Sequence, residues 1–104
     1  MYQEEFGDDW PLSNNETRIL DVNQAILVDL IDPTELIGYL FSKKVINSRQ
    51  HKILNSMGND IHENEMLIDI FEKTSRSNFL KIIECLNISG QKHIGDILKH
   101  SGGS

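Results

Sequence analysis

The sequence predicts an all-α protein, a compact antiparallel bundle of six short helices whose first helix is bent or broken. Apolar residues recur at three- and four-residue spacing along residues 13–100, cap signals divide the chain at short intervals, and no strand pattern competes. Helices of about ten residues are marginal in isolation, so each apolar stripe has to be buried by its neighbours.

The central stretch is Leu30–Leu54. Asp32 followed by Pro33 is a helix start, because the Asp side chain accepts an orphan amide proton while Pro fills a first-turn position that needs no donor. Leu36, Ile37, Leu40 and Phe41 fall on one stripe, which is expected to be buried. The basic pair Lys43 and Lys44, then Val45 and Ile46, form the turn. Asn47-Ser48 caps a third, weakly amphipathic helix carrying Gln50, Ile53, Leu54 and Met57.

Ahead of it, Ser13 and Glu16 have capping-box spacing and open the first helix. Ile19, Val22, Ile26 and Leu30 make one apolar stripe and Leu20, Leu27 and Ile31 a second beside it, so this helix is expected to be wide-faced and substantially buried. Asp21 and Asn23 compete locally for backbone hydrogen bonds, and a bend or break belongs there. Beyond it, Gly58 stops the third helix and an Asx cap at Asn59-Asp60 starts a fourth, from about Ile61 to Lys73. Ile61, Asn64, Leu67, Ile68 and Phe71 share its inner side, with Glu63, Glu65, Asp69 and Glu72 largely outside. After the polar turn at Thr74–Ser77, a fifth helix presents Phe79, Ile82, Ile83 and Leu86. Gly90 is placed as a left-handed terminator, and Ile94, Ile97 and Leu98 mark a sixth helix ending near His100.

Three segments follow. Residues 1–12 are an acidic lead-in, in which Trp10 either folds back over the core or stays with the segment; residues 13–100 are one helical domain; residues 101–104 are a linker or cloning remnant. A hydrophobic content of 38% suits a single core under a polar surface. A net charge of −6 and a pI near 5.0 argue against a general nucleic-acid or anionic-membrane binder, whose affinity comes from clustered cations. The single Cys85 excludes an intrachain disulfide framework, and no apolar run resembles a signal peptide or a membrane span, which points to a reduced, cytoplasmic setting. Asn15-Glu16-Thr17 and Asn87-Ile88-Ser89 are then chance glycosylation matches.

Taken together, these residues resemble a caspase recruitment domain, or CARD, a branch of the six-helix death-fold superfamily. The resemblance covers roughly Ser13–His100. It is carried by the interrupted first helix, Ile31-Asp32-Pro33 with Leu36 and Tyr39-Leu40, the Lys44-Val45-Ile46 turn, Leu67-Ile68 with Ile70-Phe71, and Phe79 through Leu86 before Gly90. Ile31–Leu54 with Asn23 is most similar to CARDs of the CARD-coiled-coil scaffold group. The zinc-associated cysteine of some of those domains is replaced here by Lys43 or Lys44, so no metal role transfers.

The resemblance implies homotypic docking, in which one CARD binds another through charged helical faces and builds helical oligomers that gather caspases or signalling adaptors in apoptotic or innate-immune signalling. The partner would be a CARD-containing protein or a second copy of this chain. The charges are compatible with it. The first and fourth helices hold eight acidic residues against Arg18 and Lys73, whereas Pro33–Met57 holds Lys43, Lys44, Arg49 and Lys52 against Glu35. Such opposed faces associate head to tail, and a heterologous contact that does not close repeats into a filament. Candidate partner-binding residues are therefore Lys43, Lys44, Arg49 and Lys52 on the basic side, with Asp69, Glu72 and Asp21 on the acidic side. Many CARDs carry the basic patch on the first and fourth helices, so the polarity is reversed here.

Charge alone favours an ordinary solvated surface for the four cations, and Asp60, Glu63 and Glu65 also suit a helix N-terminus. No catalytic residue, cofactor, metal ion or small-molecule substrate is expected. His51, His62, His93, His100 and Cys85 lack paired ligand spacing, Cys85 is expected to be a packing residue, and no phosphate-binding or nucleophile motif is present. Tyr39 either anchors a contact or caps the core. The alternatives are another death-fold subclass (pyrin, death-effector or death domain), and a helix-turn-helix DNA binder reading through Arg49, His51 and Lys52.

Overall fold

The computed structural model describes residue 12 and residues 14–103, with side chains at 12 and from 16 to 99. The acidic lead-in with Trp10, and the cap expected from Ser13, lie outside the described residues. Seven helices follow in order: α1 (Asn14–Val22), α2 (Gln24–Leu30), α3 (Pro33–Ser42), α4 (Ser48–Met57), α5 (Asp60–Glu72), α6 (Arg76–Ile88) and α7 (Lys92–Gly103). The protein is thus an all-α bundle, with no strand among the described residues. The expected count of six becomes seven because α1 and α2 are separate helices divided at Asn23. There the side-chain Nδ2 donates to the Ile19 carbonyl at 2.9 Å, alongside the residue's own N–H at 3.1 Å. The helical course is nevertheless resumed at once, since the Leu27 N–H donates to the Asn23 carbonyl at 2.8 Å.

Local chemistry sets the other boundaries. Asp32 caps α3 by accepting from the Thr34 N–H at 3.1 Å, with Pro33 in the first turn. Asn47 and Gln50 form a reciprocal capping box on α4, at 2.8 and 2.9 Å. Asn59 and Ser75 cap α5 and α6 one way, their side chains accepting from the N–H groups of His62 and Asn78. Gly58 and Gly90 terminate α4 and α6 in the left-handed region.

One continuous core runs through the bundle, built from Leu20, Leu27, Leu36, Leu40, Leu54, Leu67, Phe71, Phe79, Leu86, Ile94 and neighbouring buried residues, with Cys85 fully buried among them. Helix α5 packs against α1 and α2 as well as α3 and α4, while α6 packs on α3 and α7. Two buried side-chain amides fasten this arrangement. Asn64 of α5 donates from Nδ2 to the carbonyls of Val28 and Ile31, at 2.9 and 2.7 Å, and so pins the end of α2. Gln91 accepts from the Asp32 N–H at 2.8 Å and donates to the Asp32 carbonyl at 2.9 Å, which ties the start of α3 to the corner between α6 and α7.

Several residues expected inside lie outside. Leu20, Leu27 and Ile31 are buried, but of the stripe beside them Val22 is 68%, Ile26 52% and Leu30 47% exposed. A helix lying on one side of a core can bury only one of two adjacent stripes, and α1 and α2 turn the Leu20–Leu27–Ile31 side inward. Phe41 is likewise 38% exposed, and Ile53 and Ile61 are exposed although their helices are well packed. In the opposite sense, Glu63 is buried, not outside. Helix α7 also runs three residues past His100, through Ser101, Gly102 and Gly103.

Candidate functional site

The predicted basic residues sit on the turn between α3 and α4 and on α4 itself. The turn is a Schellman motif, in which the Lys44 N–H reaches the Phe41 carbonyl at 3.0 Å and the Val45 N–H the Leu40 carbonyl at 2.9 Å. This geometry needs a left-handed residue after the cap. Gly90 supplies it at the end of α6, where the same two bonds recur, but at the end of α3 the position is Lys44, with φ of 64°. A left-handed L-residue costs about 1 kcal/mol or more relative to glycine. Lys44 is exposed, and so are Arg49 and Lys52 on the outer side of α4. Lys43 differs from them, because its Nζ lies 3.4 Å from Oε1 of Glu84 on α6 and a share of its charge is answered within the molecule.

Beside these cations is a depression of about 570 Å³ lined by Phe41, Ser42, Lys44, Ile46, Asn47 and Ser48. Phe41 stacks on His51 of α4, with ring centroids 4.2 Å apart and planes 11° from parallel, which holds the exposed ring at the edge of the depression. His51 Nε2 is in turn 3.2 Å from Nδ2 of Asn55. Tyr39 is half-buried against the core.

The predicted acids gather elsewhere, where α5 meets α1 and α2. Burial, followed by the nearby charges of Asp21 and Asp69, pushes the Glu72 carboxyl up from its ordinary range, against a smaller opposing effect of Lys73. All three predicted acidic residues therefore share one local field. Asp69 carries a partner of its own, Lys73 Nζ at 3.2 Å, an exposed pair worth a few tenths of a kcal/mol at most. Asp29 and Glu65, with Asp21, line a further depression between α2 and α5, and they extend the acidic surface along the exposed stripe. Of the acids in these helices, Glu16 does not contribute. It is buried, with Oε2 at 2.7 Å from Arg76 on α6.

Sequence reasoning thus located the two groups of charges but not the apolar residues standing among them. Val22, Ile26 and Leu30 recur every four residues, and that spacing is the same for a buried stripe and an exposed one. Among the described residues no group of three or more His, Cys, Asp or Glu is arranged to hold a metal ion, and no helix is long and apolar enough to cross a membrane. Burial pushes the Cys85 thiol up, with Lys43 acting in the opposite direction. A raised, buried thiol is a poor nucleophile.

The raised Glu72 gives a pH prediction. A carboxyl whose folded-state affinity for protons exceeds its unfolded one makes the native state less stable as pH rises through that window, and contributes nothing below the ordinary glutamate range. Glu72→Gln is expected to unfold at higher denaturant concentration than wild type at neutral pH, with the difference vanishing in acid. A variant less stable than wild type at neutral pH would mean that Glu72 is satisfied by Lys73 and not strained by Asp21 and Asp69.

No family model, no curated protein and no solved structure matches this chain. What the coordinates define is a class: a single all-helical bundle bearing acidic and basic surfaces on different helices, with exposed apolar residues in each.

Proposed function

We propose that this protein is a homotypic interaction module of the CARD type, which docks on a partner CARD or on further copies of itself and acts as an adaptor or recruitment domain in cytoplasmic apoptotic or innate-immune signalling. It binds and performs no reaction of its own, with no nucleic-acid, membrane, cofactor or small-molecule ligand. The observation that carries this is the separation of charge: Asp21, Asp69 and Glu72 lie together where α1 meets α5, while Lys44, Arg49 and Lys52 are exposed on the α3–α4 side. A rigid body with such poles attracts a neighbour head to tail. The division of the first helical segment at Asn23 supports the CARD branch over the pyrin, death-effector and death-domain alternatives. Lys43 is the weakest of the proposed contacts because Glu84 already engages it.

Reversing charge on α4 tests the proposal. Arg49→Glu combined with Lys52→Glu is expected to abolish concentration-dependent assembly, seen by sedimentation velocity and electron microscopy, while helical content stays as in wild type. A second chain carrying Asp69→Lys and Glu72→Lys should restore association when the two variants are mixed. Unchanged assembly of the Arg49 and Lys52 variant would remove these faces from any interface, and salt-sensitive DNA binding by the wild-type chain would favour the helix-turn-helix alternative instead.

A further inference from the structure

The exposed apolar residues stand where a purely electrostatic contact has no use for them. On α1 and α2 the chain exposes Val22, Ile26 and Leu30 at four-residue intervals, and Asn23 hardly disturbs their alignment because the Leu27 N–H still reaches the Asn23 carbonyl. Asp21, Asp29 and Glu65 border this stripe, with Arg18 one turn before Val22 as the opposing charge. On the α3–α4 side an apolar depression is lined by buried Ile46 and by Phe41 and Lys44, both exposed. Lys52 lies one helical turn beyond Ser48 on the same helix. The first surface is an apolar ridge edged by acids. The second is an apolar hollow lined by one cation, Lys44.

Two details indicate that the hollow is built to receive something. The stack of Phe41 on His51 holds its exposed ring beside the hollow. The left-handed position at the rim is occupied by lysine, although glycine holds the equivalent position at the end of α6. A lysine at a backbone position where glycine would be unstrained sets a cation at the rim at a cost in backbone strain.

We infer that, in the head-to-tail association proposed above, Ile26 of one copy seats in the depression between Phe41 and Ile46 of a second copy, with Asp29 meeting Lys44 beside it. The acids and cations steer the approach and set its polarity. The apolar contact supplies the affinity, since Ile26 and Phe41 are otherwise left facing water. Because ridge and hollow lie on different helices, a pair still holds one free hollow and one free ridge, and the contact propagates.

The test uses the full chain in sedimentation velocity over a range of concentrations. Ile26→Ser blunts the ridge at an exposed position, and Ser48→Trp fills the mouth of the hollow at another. Each variant alone is expected to associate about tenfold or more weakly than wild type, the effect of withdrawing one buried isoleucine. An equal mixture should yield a dimer that does not grow, because the pair holds one intact ridge, from the Ser48→Trp chain, and one intact hollow, from the Ile26→Ser chain. Association of Ile26→Ser within about twofold of wild type would overturn the inference. So would a mixture that stays monomeric. If Ile26→Ser assembles normally while the Arg49 and Lys52 charge variant does not, the charged interface stands and the apolar seat falls. If the wild-type chain is monomeric at every concentration, the second copy is not the occupant and the inference fails with it.

Discussion

Asn64→Asp is expected to lose on the order of 4 kcal/mol of unfolding free energy at neutral pH and to regain part of it in acid. The amide Nδ2 of Asn64 donates to two carbonyls, Val28 at 2.9 Å and Ile31 at 2.7 Å, from a residue only 1% exposed. A carboxylate of the same shape keeps the volume but turns two attractive contacts into repulsions between oxygens and buries a charge. Protonation changes the balance, because a neutral carboxylic acid can donate one of the two bonds. Its folded-state proton affinity is therefore raised, and the deficit relative to wild type shrinks as pH falls toward the ordinary aspartate range. Urea unfolding of both proteins at neutral pH and at about pH 4 measures this. A deficit independent of pH, or one below about 1 kcal/mol, would mean that Asn64 does not hold α2 in place through its amide.

Arg76→Met should cost about 2 kcal/mol, and Glu16→Leu added to it should recover about half of that or more. The Glu16 carboxylate lies 2.7 Å from Arg76, with 2% of its side chain exposed against 46% for the arginine. Removing the arginine takes its close cation from the more buried partner, in a depression lined by Phe79, Leu80, Ile83, Leu98 and Lys99. The half-exposed guanidinium places the cost below that of a fully buried pair. Replacing both partners by apolar side chains removes the buried charge along with its partner and suits the apolar part of that lining. Equal stability of the single and double variants would show that lost packing, not the weakened pairing of a buried carboxylate, accounts for the change.

The acidic Glu16 also shows how the sequence misleads. Its spacing from Ser13 suits a capping box, and the charge count of the first helix includes it. Yet the arginine that engages it lies sixty residues further along the chain. Only folding brings α6 beside α1. Glu84 stands in the same relation to Lys43: nothing in the local sequence around the basic pair announces that one lysine will be partnered and the other left exposed in a left-handed turn. Asn64 and Gln91 were equally silent. Asn64 falls on the inner stripe of its helix, but which backbone groups it would satisfy depends on chain segments more than twenty-five residues away.

The sequence by itself determined the helices and their ends, because capping, proline and glycine preferences and the short repeat of apolar residues act over at most a few residues. Asp32-Pro33, the Asn47–Gln50 box, Asn59, Gly58 and Gly90 each fix a boundary through bonds within one turn of helix. It likewise determined that acids and cations would fall on separate helices. Only the tertiary structure decided which of two adjacent stripes on the first helical segment would face the core, and so left Val22, Ile26 and Leu30 in water beside Asp21 and Asp29. The reason is that periodicity fixes the angle between side chains on one helix but not the rotation of that helix about its own axis, which is set by the helices packed against it.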